Sequence, residues 1–108
     1  MFMTNKYEES DAEYTVQQFI TKVTAGDTAD MDVLIGSRAD GTLEELREGT
    51  LAESDLEELK LKLTNLKLLA SRPAGATKVV GLDNGAKKIQ FQLAKQGGKW
   101  VITEMNIR

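Results

Sequence analysis

Histidine and cysteine are both absent from the sequence. That removes the usual general base near neutral pH, the commonest metal ligand, the thiolate nucleophile and any disulfide. The residues left that could do chemistry are Tyr14, Glu104, the aspartates Asp27, Asp30 and Asp32, and the lysines Lys88, Lys95 and Lys99 beside Trp100, the single tryptophan. A calcium loop needs oxygen ligands at alternate positions, then a glycine and a closing glutamate. After Asp32 the next alternate residue is Leu34, and Gly36 falls one place late. Carboxylates at the start of a helix are explained by the helix dipole alone, so no metal is expected. Gly97-Gly98-Lys99 resembles the end of a phosphate loop, but Trp100 stands where the motif needs Ser or Thr. Gly36-Ser37 lacks the nucleophile-elbow frame, and no histidine exists to activate the serine. No cofactor is expected. Lys88, Lys95, Lys99 and Trp100 could form a basic stacking face for nucleic acid. With aromatics at 6% and a net charge of −3, a solvated sheet face guarded by lysines is the better reading.

The elements that must position these residues follow from periodicity. Ala12, Val16, Phe19, Ile20 and Val23 form one stripe of a 3.6-residue repeat, predicting a helix from about Asp11 to Ala25 with Ser10 or Asp11 as its cap. Glu13, Gln17, Gln18, Thr21 and Lys22 lie off that stripe. Gly26 suits the left-handed position that ends it. A second helix is expected from about Ala29 to Ser37. Thr42-Leu43-Glu44-Glu45 and Ser54-Asp55-Leu56-Glu57 both fit capping boxes. They open a short helix ended by Gly49 and a helix carrying Leu56, Leu59 and Leu63, with Glu58 and Lys62 paired one turn apart. The pattern changes from helix to strand near Thr64-Asn65. Strands are then expected over Leu66–Arg72 (stopped by Pro73), Thr77–Leu82, Lys87–Lys95 and Lys99–Ile107, with Asn84-Gly85 as a tight turn. The result is an α+β fold: N-terminal helices packed on a four-stranded antiparallel sheet.

The length suits one domain, expected over residues 11–108 after a polar lead-in at 1–10. The acidic and basic residues separate. Residues 1–54 hold 4 basic against 12 acidic residues, and residues 55–108 hold 10 against 5. That split reads either as complementarity between two layers or as an adaptor whose basic sheet half meets an acidic partner. No stretch approaches the ~20 apolar residues of a membrane span. Met1-Phe2-Met3 is too short for a signal-peptide core, so the chain reads as cytoplasmic or as an exported domain lacking its signal.

The order of elements, with Ala25-Gly26-Asp27 ending a long first helix and Gly97-Gly98-Lys99-Trp100-Val101-Ile102 in a final hairpin, resembles the nuclear transport factor 2-like, cystatin-like cone fold, and in particular its short bacterial members. The resemblance implies a curved sheet around the first helix, a cavity between them, and in many relatives a homodimer packed sheet on sheet. Gln90, Gln92 and Val101 would face such a partner. Enzymes of this superfamily, isomerases and hydrolases, use buried acids with tyrosine or histidine inside the cone. Tyr14 and Glu104 are the residues here that such a role would fall on. The strands supply no further acid to complete a set, so the expected function is noncatalytic: binding of a small apolar ligand or a protein partner. Tyr14, Phe91, Trp100 and Glu104 are the residues expected to line the pocket or interface.

The final hairpin poses a register problem. A regular strand alternates faces. With a two-residue Gly97-Gly98 loop, Trp100 and Ile102 face the core but Glu104 does too. A three-residue loop instead buries Met105 and Ile107 and turns Trp100 outward. A β-bulge near Thr103-Glu104 would let all four apolar residues face inward, and that bulge is the expectation.

Overall fold

The computed structural model describes residues 11–107. The expected lead-in over 1–10, Ser10 as a cap, and the last residue of the expected domain lie outside them. Among the described residues the elements run α1 (Ala12–Thr24), a 3-10 turn (Met31–Val33), α2 (Thr42–Glu48), α3 (Glu53–Lys62), β1 (Lys67–Ala74), β2 (Thr77–Asp83), β3 (Lys88–Gln96) and β4 (Lys99–Ile107). The strands form one antiparallel meander in the order β1-β2-β3-β4. The fold class is the α+β arrangement expected, with the helices on one face of a curved sheet. No helix among the described residues is long and apolar enough to cross a membrane.

The stripe on α1 is the inner surface of the domain. Ala12, Val16, Phe19 and Val23 are fully buried, and so are Val80, Leu82, Phe91, Leu93 and Ile102 of the sheet. Phe19 meets Phe91 edge to face, with ring centroids 5.6 Å apart and planes at 71°, the arrangement aromatic quadrupoles favour. Leu59 and Leu63 from α3, and Leu43 and Leu46 from α2, close the same core.

The strand β4 carries the bulge. Lys95 pairs with Trp100 and Leu93 with Ile102, but Gln92 pairs with Glu104, so Thr103 is the extra residue. Its hydroxyl donates to the Gln92 carbonyl at 3.0 Å. Beyond it, Phe91 faces Met105 and Ile89 faces Ile107. Trp100, Ile102, Met105 and Ile107 therefore all pack on the core. The loop is the two-residue one, with Gly97 at φ 62° and Gly98 at φ 83°, the positive pair that a type I′ turn requires. A second bulge sets Leu69 apart in β1. Bulges bend a strand and increase its twist, which curves the sheet over α1.

Several local expectations are corrected. The segment after Asp27 does not form a helix to Ser37. Asp30 takes a left-handed backbone, and only Met31–Val33 turn. The reason lies in the sheet: Ile102 N donates to Leu34 O and Gly36 N donates to Ile102 O, each at 2.8 Å. Ile35 is thereby a one-residue parallel strand on the edge of β4. Neither capping box forms, because α2 starts from Gly41 with Thr42 already helical and α3 starts from Ala52, in both cases without a side-chain cap. Lys60 pairs with Glu57 at 3.2 Å instead of Lys62 with Glu58. Pro73 does not stop β1 but lies within it. Proline is tolerated there because β1 is an edge strand, where a missing N–H breaks no inner ladder. The Asn84-Gly85 turn is wider than two residues, since Asp83 ends β2 and Lys88 starts β3. The Asn84 side-chain Oδ1 there accepts from the backbone amides of Ala86 and Lys87 at 3.0 and 2.8 Å.

Phe91→Ala is expected to cost about 3–5 kcal/mol, a large share of the roughly 5–15 kcal/mol a domain has. Leu61→Ser, on an α3 side chain 75% exposed, is expected to change stability by less than about 0.5 kcal/mol. Urea unfolding of the two variants checks both values, and equal effects would contradict the assignment of Phe91 to the core.

Candidate functional site

An open cleft of about 460 Å³ lies between the first turns of α1, the Val33–Leu34 segment and the β3–β4 hairpin. Its walls are Tyr14, Thr15 and Gln18 from α1, Val33 and Leu34, and Gly98, Lys99 and Trp100. Each wall has a local cause. Tyr14 and Gln18 are one helical turn apart and share a face. The Val33–Leu34 segment is held by the backbone pairing of Leu34 and Gly36 with Ile102. Arg47 anchors the residues that follow it by donating to the carbonyls of Gly36 and Ala39. Trp100 is aimed by the two-glycine turn, which sets it opposite Lys95. The Thr15 hydroxyl donates to the Trp100 carbonyl at 3.0 Å and ties helix to strand at the base of the cleft. The Lys95 ammonium lies 5.5 Å from the centre of the indole ring, within cation–π range.

The four residues expected to act together are separated. Tyr14 and Trp100 share this cleft. Phe91 is fully buried against Phe19 and reaches no surface. Glu104 is exposed and borders a different depression, beside Asp40, Gly41 and Thr42. A carboxylate in solvent and away from Tyr14 cannot serve with it as a buried acid pair, so the isomerase- or hydrolase-type arrangement is not assembled from them. The volume expected between α1 and the sheet is occupied by the core side chains themselves, Val16, Phe19, Val80 and Phe91 among them.

The basic stacking face that composition argued against does not form. Lys88 alternates with Gln90 and Gln92 on the outer face of β3, whereas Lys95 and Trp100 face the helix side. The aspartates serve local turns, with Asp27 Oδ1 accepting from the Ala29 amide at 3.2 Å and Asp27 pairing with Lys22. Among the described residues no group of three or more acids is arranged to hold a metal ion.

One polar cluster escaped the sequence reading. Glu13, expected off the apolar stripe, is 9% exposed. Its carboxylate accepts from the Ser71 hydroxyl and pairs with Lys78 at 2.9 Å. It is the ion pair, among the described residues, that joins a helix to the sheet; the others are local. The complementarity implied by the acidic and basic halves is therefore realised at this contact. A signal for it existed, since Lys78 has the same strand parity as Val80 and Leu82. Burial pushes the Glu13 carboxyl up, but hydrogen bonds from Ser71 and Lys78 and the nearby Lys78 charge outweigh it and hold the group below its ordinary value.

No family model and no curated protein matches the chain. Solved structures do. A designed protein of the nuclear transport factor 2 type aligns over 91% of this chain and 100% of its own, at 13% identity and a TM-score of 0.55. A de novo designed protein with a curved β-sheet aligns over 89% of this chain and 96% of its own, at 18% identity and a TM-score of 0.52. The chain thus has the nuclear transport factor 2-like fold.

A carboxyl whose folded value lies below its unfolded one stabilises the fold at pH above the unfolded value, roughly 4.3 for glutamate. That stability is lost as pH falls through the lower folded value. Unfolding free energy is therefore expected to drop on acidification from about pH 5 to pH 3, and Glu13→Gln should make the curve flatter in that window. A Glu13→Gln curve parallel to that of the parent protein would refute the role given to this contact.

Proposed function

We propose that the protein is a noncatalytic binding module whose cleft beside Trp100 takes a small, largely apolar ligand. The distribution of the aromatics carries this reading. Of the four described ones, Phe19 and Phe91 fill the core, while Tyr14 and Trp100 converge on one cleft together with Val33. Val33 is 61% exposed, an apolar side chain left without cover at the cleft wall. A concave volume of this size, walled by aromatic and aliphatic groups with a few polar ones, is what small-molecule sites share. Trp100, as the sole tryptophan, is a built-in reporter. Decanoate and 1-decanol, one apolar chain with two different heads, should be titrated while its emission is followed. At least one is expected to shift the emission saturably, and Val33→Asp should abolish the shift. If neither moves it, the cleft is not a ligand site.

A second reading, a protein partner or a homodimer, is favoured by the outer face of the sheet. Its centre, built from Val79, Gly81, Gln90, Gln92 and Ala94, is half-exposed and carries no charge. Val101, expected to contribute there, is 7% exposed, pressed under Gly36 of its own chain. It is therefore not available to a partner. Light scattering over a concentration series is expected to show mass rising toward twice that of the chain, and Gln92→Lys should suppress the rise. A constant monomeric mass removes the homodimer.

A further inference from the structure

We infer that the outer face of the sheet meets a second copy of this chain, stacked about a two-fold axis that runs along the strands between β2 and β3. This rests on the homodimer reading above and adds the geometry and the residues that set it. Directly paired residues share a face of the sheet, so the register sorts the side chains into rows. Ser71, Val80, Phe91 and Met105 form a row on the helix side. One step along each strand, Arg72, Val79, Gln92 and Glu104 form a row on the outer face, from the β1 edge to the β4 edge. Lys67, Asp83 and Lys88 form another, and Ala70, Gly81, Gln90 and Asn106 lie between the two. Arg72, Lys88 and Glu104 are exposed and Asp83 is half-buried.

The charges in these rows suit one symmetry. A two-fold axis along the strands lays β1 over β4 of the second copy and β2 over its β3, with each row over its own equivalent. Arg72 then meets Glu104 of the second copy, and Asp83 meets Lys88 of the second copy. Each contact occurs twice, as an isologous interface requires. Lys67 falls past Ile107, the last described residue of the opposing strand. A two-fold axis across the strands would instead lay each strand over itself. On this face β1 carries Lys67 and Arg72 and no acid, and β2 carries Asp83 and no cation, so neither strand would find an opposite charge. The middle row fits the first arrangement as well. Gly81 has no side chain, and the nearest atom a Cβ there would meet is the Ala70 carbonyl oxygen at 3.9 Å. A depression of about 130 Å³ lies around it, bordered by Leu69, Gln90 and Asn106. The axis along the strands brings Gln90 of the second copy over that depression. Stacked sheets lie about 10 Å apart and cross at about 30°, so long side chains at the edges can meet while the uncharged centre packs. Complementary charges around such a centre fix the register of an interface.

The test is charge exchange, read as mass by light scattering on the full chain over a concentration series at low salt. Arg72→Glu and Glu104→Arg each set like charges together at two places, and each is expected to weaken the dimer about 10-fold. An equal mixture of the two variants should regain the parental mass, because every edge contact in the mixed pair joins a cation to an acid. The double variant R72E/E104R should regain it too. Arg72 and Glu104 stand on opposite edge strands of the sheet, so this recovery has no route within one chain. Single variants that dimerise as tightly as the parent, or a mixture no tighter than its components, overturn this stacking while the homodimer reading stands. A parent protein that stays monomeric at every concentration removes the homodimer, and this inference falls with it.

Discussion

Trp100, Ile102, Met105 and Ile107 cannot share one face of a regular strand, since side chains alternate and the step from 102 to 105 is odd. The extra residue at Thr103 resolves this, and much of the structure depends on it. Upstream of the bulge, Ile102 reaches full burial and Trp100 turns to the helix side. Downstream, Met105 and Ile107 reach the core edge over α2 and α3. Without the bulge one of these pairs would be displaced to the outer face. The same irregularity bends the strand, so the sheet closes over α1 instead of lying flat against it.

The edge of β4 does a second job. Its Ile102 backbone captures Leu34 and Gly36, and this capture costs the segment its helix. Asp30, left-handed, and Gly36, a weak helix former, bound a stretch of only five residues, and two backbone hydrogen bonds plus burial of Met31 and Ile35 decide the outcome. Gly36 is needed for the approach: a Cβ there would come within 3.3 Å of both the Val101 and Thr103 methyl groups. The covered edge is also no longer a template for pairing with another chain along that stretch.

The cleft is a by-product of these two arrangements. The α1 helix supplies one wall, the captured segment another, and the hairpin tip the third. The partly buried Glu13–Lys78 pair fixes α1 against β2 at the same end of the helix. Both partners are hydrogen-bonded or charge-paired, as a desolvated ion pair must be if it is not to destabilise.

The sequence by itself determined the α1 stripe, the four strands, the hairpin loop and the bulge. Each is a local rule of periodicity or turn chemistry, readable from Val16, Phe19, Ile89, Phe91, Gly97 and Gly98. It also excluded histidine and cysteine chemistry by composition. Tertiary structure alone decided the rest. Whether Ala29–Ser37 became a helix depended on a strand edge some seventy residues away. Whether Tyr14 met Glu104 or Trp100 depended on how the strand bearing both was set against α1. Glu13 looked solvent-facing because its partners, Ser71 and Lys78, lie beyond the reach of any helical pattern. Long-range contacts override local propensity wherever that propensity is weak, and the cleft is built mostly from such places.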